Sequence, residues 1–156
     1  MDNREFGVFH VLHEPLIDIL IVHDIVGGIY NGERGRLDAP CDGCGGKACQ
    51  EAYDTEKYSY KQIYRVIHAA CQKAMDRSKK LCIADKADKL ESSRLWREAA
   101  EDVLAGFPLI VTEYLYIEEA VRQLVVSPGQ FDVIVTSNLF GDILFGAARA
   151  LTGQNQ

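Results

Sequence analysis

The stretch Phe131–Leu144, FDVIVTSNLFGDIL, restricts what this chain can fold into more than any other. Phe131, Val133 and Val135 alternate with Asp132, Ile134 and Thr136, so both faces of the segment are largely apolar. β-Branched residues suit a pleated backbone, and a short strand apolar on both faces belongs in a sheet covered on both sides. A polar turn follows and a helix opens, which places Asn138 and Asp142 at the carboxyl end of the strand. Open α/β sheets bind their ligands at that end.

The rest of the chain repeats the alternation. Leu16–Val22 is an apolar run ending in His23-Asp24, with Gly27-Gly28 soon after, and reads as a central strand. Ile29–Glu33 and Gln50–Thr55 flank a Gly- and Cys-rich loop and are expected to pair as a long hairpin. Ser59 followed by Gln62 has the capping-box spacing. Ile63, Val66, Ile67, Ala70, Cys71, Ala74 and Met75 then mark one helical face. Leu81–Ala84 is a short strand running into Asp85-Lys86. A second helix spans about Leu90–Ala105, with Leu95, Trp96, Ala99, Ala100, Val103 and Leu104 on its apolar stripe; Gly106 and Pro108 end it. Leu109–Tyr116 is expected as a strand, Ile117–Val126 as a helix stopped near Pro128-Gly129, and Leu139–Leu151 as the last helix. Strands alternating with helices define an α/β fold, and the hairpin predicts a mixed sheet flanked by helices with a protruding β-hairpin arm. Only the two ends and the cysteine loop read as unstructured.

A length of 156 residues suits a single domain over 1–156 with a real core. The formal charge of −6, with no clustered basic residues, excludes a surface that follows a phosphate backbone, so nucleic acid is not an expected partner. No apolar run approaches the roughly 20 residues a membrane helix needs. The N-terminal MDNREFGVFHVLHEP lacks a signal-peptide layout, and a cytoplasmic location is expected.

Five cysteines are present. Cys71 and Cys82 fall in apolar settings and read as small buried hydrophobes. Cys41, Cys44 and Cys49 lie in a loop with Gly43, Gly45 and Gly46, where a C-x2-C pair is half of a zinc-knuckle pattern. Without a histidine or fourth cysteine at suitable spacing, the alternative is a loop of reduced thiols.

Two further blocks accompany FDVIVTSNLFGDIL: VHDIVGGIYNGE at Val22–Glu33 and DKADKLESSRLWR at Asp85–Arg97. In these three blocks, taken in this order, the chain resembles the β-decarboxylating dehydrogenases of the isocitrate/isopropylmalate dehydrogenase family, closest to its 3-isopropylmalate branch, from about Asp18 to Gly153. The resemblance implies NAD-dependent oxidation and decarboxylation of a 2-hydroxy dicarboxylic acid in leucine biosynthesis, with Mg²⁺ or Mn²⁺ polarising the substrate oxygen. It implies that Lys86 is the catalytic lysine, which in the family usually acts across a subunit interface, and that Tyr30 helps deliver protons. Asp142 matches the first metal-binding aspartate, Glu118 stands at the metal aspartate that acts in trans, and His23 and Asp88 stand at substrate-facing positions. It further implies a homodimer, closed by an arm at about 29–55 and by the helices containing SSRLWR and Val121–Val126, whose apolar residues could equally be internal core. Family members are longer and carry glycine-rich and adenine-binding segments beyond the matched region. The chain is therefore expected to be the second domain alone, with NAD held by a separate nucleotide-binding domain.

Several positions depart from the family pattern. The family has arginine where His23 stands; histidine cannot reproduce its two-pronged clamp on a carboxylate and is mostly neutral near pH 7. Gly146 replaces a second metal-binding aspartate one helical turn after Asp142. Glu118 keeps the charge of its aspartate but moves it by one methylene, and Asp88 replaces an asparagine, adding negative charge near an anionic substrate. Packing positions Leu90, Leu95, Trp96, Phe131 and Leu139 keep their apolar character. The expectation is a fragment or truncated form of such a dehydrogenase, inactive alone. The alternative is a non-catalytic dimerisation module that retains the fold while its chemistry is gone.

Overall fold

The computed structural model describes residues 7–14, 17–38 and 50–153. In chain order the elements are β1 (Val8–Glu14), β2 (Ile17–His23), β3 (Arg34–Asp38), β4 (Gln50–Asp54), α1 (Tyr60–Met75), β5 (Lys80–Asp85), α2 (Glu91–Leu104), β6 (Val111–Tyr116), α3 (Ile117–Val126), β7 (Val133–Thr136) and α4 (Asn138–Leu151). Five strands form one sheet in the order β1-β2-β7-β5-β6, and β3-β4 is a separate two-stranded ribbon. Strands β2, β7, β5 and β6 run parallel, while β1 is antiparallel to β2, so the sheet is mixed. This is the expected α/β architecture with a hairpin arm, but the sheet is mixed because of β1 and not because of the hairpin, which forms a ribbon of its own.

Side chains in a strand alternate between faces, and the core divides accordingly. Leu20, Val22, Leu81, Ile83, Val133 and Val135 meet α1 and α2 through Ile63, Val66, Ile67, Trp96, Ala99 and Val103. Ile19, Ile21, Cys82, Ala84 and Ile134 meet α3 and α4 through Ala120, Leu124, Leu144 and Ala148. Strand β7 is buried throughout because it lies between β2 and β5 and is covered on both faces. Ile83 and Ile134 are fully buried, and truncating either to alanine is expected to cost about 2–5 kcal/mol. The opposite end of the sheet is tied by Asp132, which accepts hydrogen bonds from Arg77 Nε (2.6 Å) and the Ser78 amide (2.9 Å), while Arg77 also binds Asp18 (2.8 Å).

The capping box forms as expected: Ser59 Oγ accepts from the Gln62 amide (3.3 Å) and Gln62 Oε1 from the Ser59 amide (2.8 Å). Cys71 and Cys82 are buried free thiols, and burial pushes the Cys71 pKa up to about 12 and that of Cys82 up as well. Among the described residues no helix is long and apolar enough to cross a membrane. Cys41, Cys44 and Cys49, read as a loop of reduced thiols with half a zinc-knuckle pattern, lie outside the described residues.

Three boundaries differ from expectation. Ile29–Glu33 is a turn, and the first hairpin strand is Arg34–Asp38 paired with Gln50–Asp54. Gly28 takes the left-handed φ of +82°, its amide bonds the Lys57 carbonyl (3.0 Å), and a Cβ at Gly32 would strike the Thr55 carbonyl, so the chain keeps turning before it can extend. Strand β6 begins at Val111 because Leu109 sits in a turn closed by the Ile110 amide on the Phe107 carbonyl (3.0 Å). Most consequential, the N-terminal region is not merely an end: Val8–Glu14 forms edge strand β1, with His10 opposite Ile21.

Candidate active-site cleft

The carboxyl ends of β2 and β7 are held together by a short polar network. The chain leaves β2 at His23 and turns at once: the buried Asp24 carboxylate accepts from the Val26 (3.1 Å) and Gly27 (2.5 Å) amides. Burial pushes the Asp24 pKa up, against those two hydrogen bonds. Asn138, the first residue of α4, donates its Nδ2 to the Gly27 carbonyl (3.1 Å), and its backbone amide donates to the Tyr58 hydroxyl (2.9 Å). Tyr58 is itself wedged edge-on against Trp96, with ring centroids 5.5 Å apart. Helix α4 approaches β2 so closely at Gly141 that an added Cβ would lie 2.6 Å from His23 Nδ1, and nearer still to the Cβ and Cγ of that ring.

Between these elements lies an open cleft of about 540 Å³ lined by His10, His23, Ile25, Tyr30, Asn31, Asn138, Asp142 and Phe145, large enough for a small organic acid. The nearby Asp142 carboxylate raises the pKa of the Tyr30 phenol. His23 is 3% exposed. Its Nδ1 bonds the Asp24 carbonyl (3.0 Å) and its Nε2 lies 3.0 Å from His10 Nε2. Burial lowers the pKa of His23 and of His10, and each also feels the Asp142 carboxylate, which raises it. One face of His10 stacks on Phe145 with centroids 3.6 Å apart.

Lys86, Asp88 and Glu118 form a second cluster at the ends of β5 and β6. Lys86 Nζ bonds Glu118 and lies 3.3 Å from Asp88 and 5.1 Å from the centre of the Tyr116 ring. The bond to Glu118 raises the Lys86 pKa and lowers that of Glu118. Below them the buried Asp85 takes a two-pronged bond from Arg97 (2.6 and 3.1 Å), and that guanidinium covers the rings of Tyr114 and Tyr116. Of the sequence-predicted residues, the fold thus brings together His23, Tyr30 and Asp142 in the cleft, and Lys86, Asp88 and Glu118 outside it.

A hard divalent cation prefers several oxygen ligands. Asp142 is the sole carboxylate among the lining residues, Gly146 offers none, and Glu118 is held by Lys86. Among the described residues no group of three or more His, Cys, Asp or Glu side chains is arranged to hold a metal. The cleft of one chain does not fit Mg²⁺ or Mn²⁺.

His10, Asp24, Asn31, Tyr58 and Phe145 were not expected at the site. The signal for His10 lay in the alternation Val8-Phe9-His10-Val11-Leu12, which reads as a strand with its histidine on the face opposite Val11.

The chain belongs to the isocitrate/isopropylmalate dehydrogenase family, whose model matches residues 7–154. It is 49% identical over 137 residues to a 3-isopropylmalate dehydrogenase of Clostridium acetobutylicum, covering 88% of this chain and 36% of that protein. It is 44% identical, with the same coverage, to the enzyme of that name from Desulfitobacterium hafniense. The fold matches isocitrate dehydrogenase from Methylococcus capsulatus with a TM-score of 0.78 and 29% identity, over 88% of this chain and 39% of that one. It also matches the TT0538 protein from Thermus thermophilus (TM-score 0.76, 27% identity, 93% and 29% coverage). The chain spans a little over a third of the length of the curated relatives it matches.

Proposed function

We propose that this chain is the acid–base domain of a 3-isopropylmalate dehydrogenase-type reaction, oxidative decarboxylation of a 2-hydroxy acid, and that turnover needs an NAD-binding half beyond the region matched here. The observation that carries this reading is the Tyr30–Asp142 pair set in a cleft at the carboxyl ends of parallel strands, in a chain of this family. The Asp142 carboxylate beside it keeps Tyr30 protonated, which suits the phenol to donate to a developing enolate. Lys86 is held as an ammonium by Glu118 and Asp88, so it serves as a base only once that contact opens. In this reading the assembly is a cytoplasmic homodimer in which the Lys86–Asp88–Glu118 cluster of one copy faces the cleft of the other, an arrangement the resemblance supports. A metal would require the carboxylates of both clusters, and no step is assigned to it.

The test is NADH formation from 3-isopropylmalate and Mn²⁺ by this chain alone and mixed with a separately expressed nucleotide-binding half of a relative. Turnover by the mixture, lost in Tyr30→Phe and Lys86→Ala, is the expected result. Silence from folded, dimeric protein favours the second reading, a non-catalytic dimerisation module. One observation points that way: both ring nitrogens of His23 are already used inside the chain.

A further inference from the structure

The hydrogen bonds of the cleft leave residue 23 closed to ligands, and His10 is the reason. A backbone carbonyl only accepts, so the contact of His23 Nδ1 with the Asp24 carbonyl places a proton on Nδ1. In the neutral ring Nε2 is then a bare lone pair, and its 3.0 Å contact requires His10 Nε2 to donate. The two rings are nearly parallel (13°) with centroids 5.1 Å apart, the spacing of imidazoles joined end to end rather than laid face on face. Behind His10 the Phe145 ring, with the Arg149 guanidinium 5.7 Å from its centre, limits any swing out of this position.

We propose that His10 is a specificity-determining residue of the cleft: its imidazole occupies the place from which a ligand carboxylate would reach residue 23, so a carboxylate is held in the cleft without a clamp at that residue. This rests on reading the cleft as the substrate site. Among the described residues no lysine or arginine lines the cleft to supply that clamp. Asn31 Nδ2 is spent on the Ile25 (3.2 Å) and Gly27 (3.4 Å) carbonyls, one N–H of Asn138 Nδ2 is used by the Gly27 carbonyl, and Tyr30 stands beside the Asp142 carboxylate. A dicarboxylic acid entering here meets a carboxylate at Asp142 and no free donor at His23. Arginine at position 23 alone does not restore a clamp, because His10 still stands in front of it.

The experiment is calorimetric titration of the whole chain with 3-isopropylmalate for wild type, His10→Ala, His23→Arg and the double variant, with circular dichroism to check folding and amide chemical shifts to map the ligand. Wild type and His23→Arg are expected to bind only weakly, and the double variant to bind at least about tenfold more tightly than either single variant. Imidazole nitrogen shifts of wild type, which need no variant, are expected to show His23 protonated at Nδ1 and bare at Nε2. Equal affinity for His23→Arg and the double variant overturns the inference, as does a wild-type His23 protonated at Nε2. If the ligand shifts map to Tyr30 and Asp142 without a gain in the double variant, this inference fails and the proposed site stands. Shifts that map elsewhere refute both.

Discussion

Two glycines five residues apart in α4 are expected to respond to the same substitution with opposite signs. Gly141 and Gly146 both sit in the interior of Asn138–Leu151, where alanine is favoured over glycine by about 0.8–1 kcal/mol. At Gly146 an added Cβ meets nothing within 4 Å, so that preference is the whole effect. Gly146→Ala should stabilise the fold by about 1 kcal/mol. At Gly141 the new methyl would lie 2.6 Å from His23 Nδ1 and closer to the ring's Cβ and Cγ, the near end of a buried side chain hydrogen-bonded at both nitrogens. Overpacking of a rigid site costs about 1–3 kcal/mol, and the closeness of this contact argues for the upper end. After the helix gain, Gly141→Ala should destabilise by about 2 kcal/mol, lowering the melting temperature by roughly 4–8 °C for a domain of this size. Urea unfolding followed by circular dichroism reads both variants on one scale. A Gly141→Ala protein as stable as Gly146→Ala would mean that α4 does not rest on His23, and the cleft geometry would be wrong.

Tyr58→Phe removes the acceptor for the Asn138 amide at the start of α4, and should cost about 1–3 kcal/mol by leaving a buried N–H unpaired, with faster amide exchange at Asn138 as the specific readout. Arg97→Ala leaves the Asp85 carboxylate, 3% exposed, with the Ala87 amide but without its guanidinium; a loss of about 3 kcal/mol in urea unfolding is expected, and a loss under about 0.5 kcal/mol would show the pair to be surface-like. Asp132 is pushed up by burial but more strongly held down by Ser78 and Arg77, so its folded pKa lies below the ordinary carboxylate value. The stabilisation it gives is present above its unfolded pKa of about 4 and is lost as pH falls through the folded value. Asp132→Asn should therefore be less stable at pH 7 and should show a flatter fall in urea midpoint below about pH 4 than wild type; parallel curves would refute the assignment.

The parts of the fold legible in the sequence are those set by local rules. The capping box at Ser59 and Gln62, the helix Ile117–Val126 and the two-faced strand before Asn138 depend on neighbours a few residues away. Ile29–Glu33 was misread because its composition suits a strand, while its conformation is set by Gly28, Gly32 and contacts with Lys57 and Thr55 that the local pattern does not reveal. The cleft shows the same division. Tyr30 and Asp142 were placed by motif, but the state of His23 depends on His10, thirteen positions away and brought beside it only by the pairing of β1 with β2. No rule about residue 23 alone could show that both its nitrogens are engaged.

The positions that the resemblance marks as departures from the family pattern fall mostly where the fold has little to lose. Gly146 is exposed and surrounded by open space, so a glycine there takes no contact from the core. Glu118 is exposed, and the longer side chain still reaches Lys86. His23 alone is buried, and there the change is matched: a neutral ring is fixed by Asp24 on one side and His10 on the other, where a guanidinium would bring a charge needing partners of its own. Apolar positions such as Trp96, Leu124 and Phe131, whose alteration would open cavities costing several kcal/mol, remain buried in the two cores. The apolar residues are thus packed on both faces of the sheet, while Asp88, Glu118 and Tyr116 gather around the Lys86 ammonium.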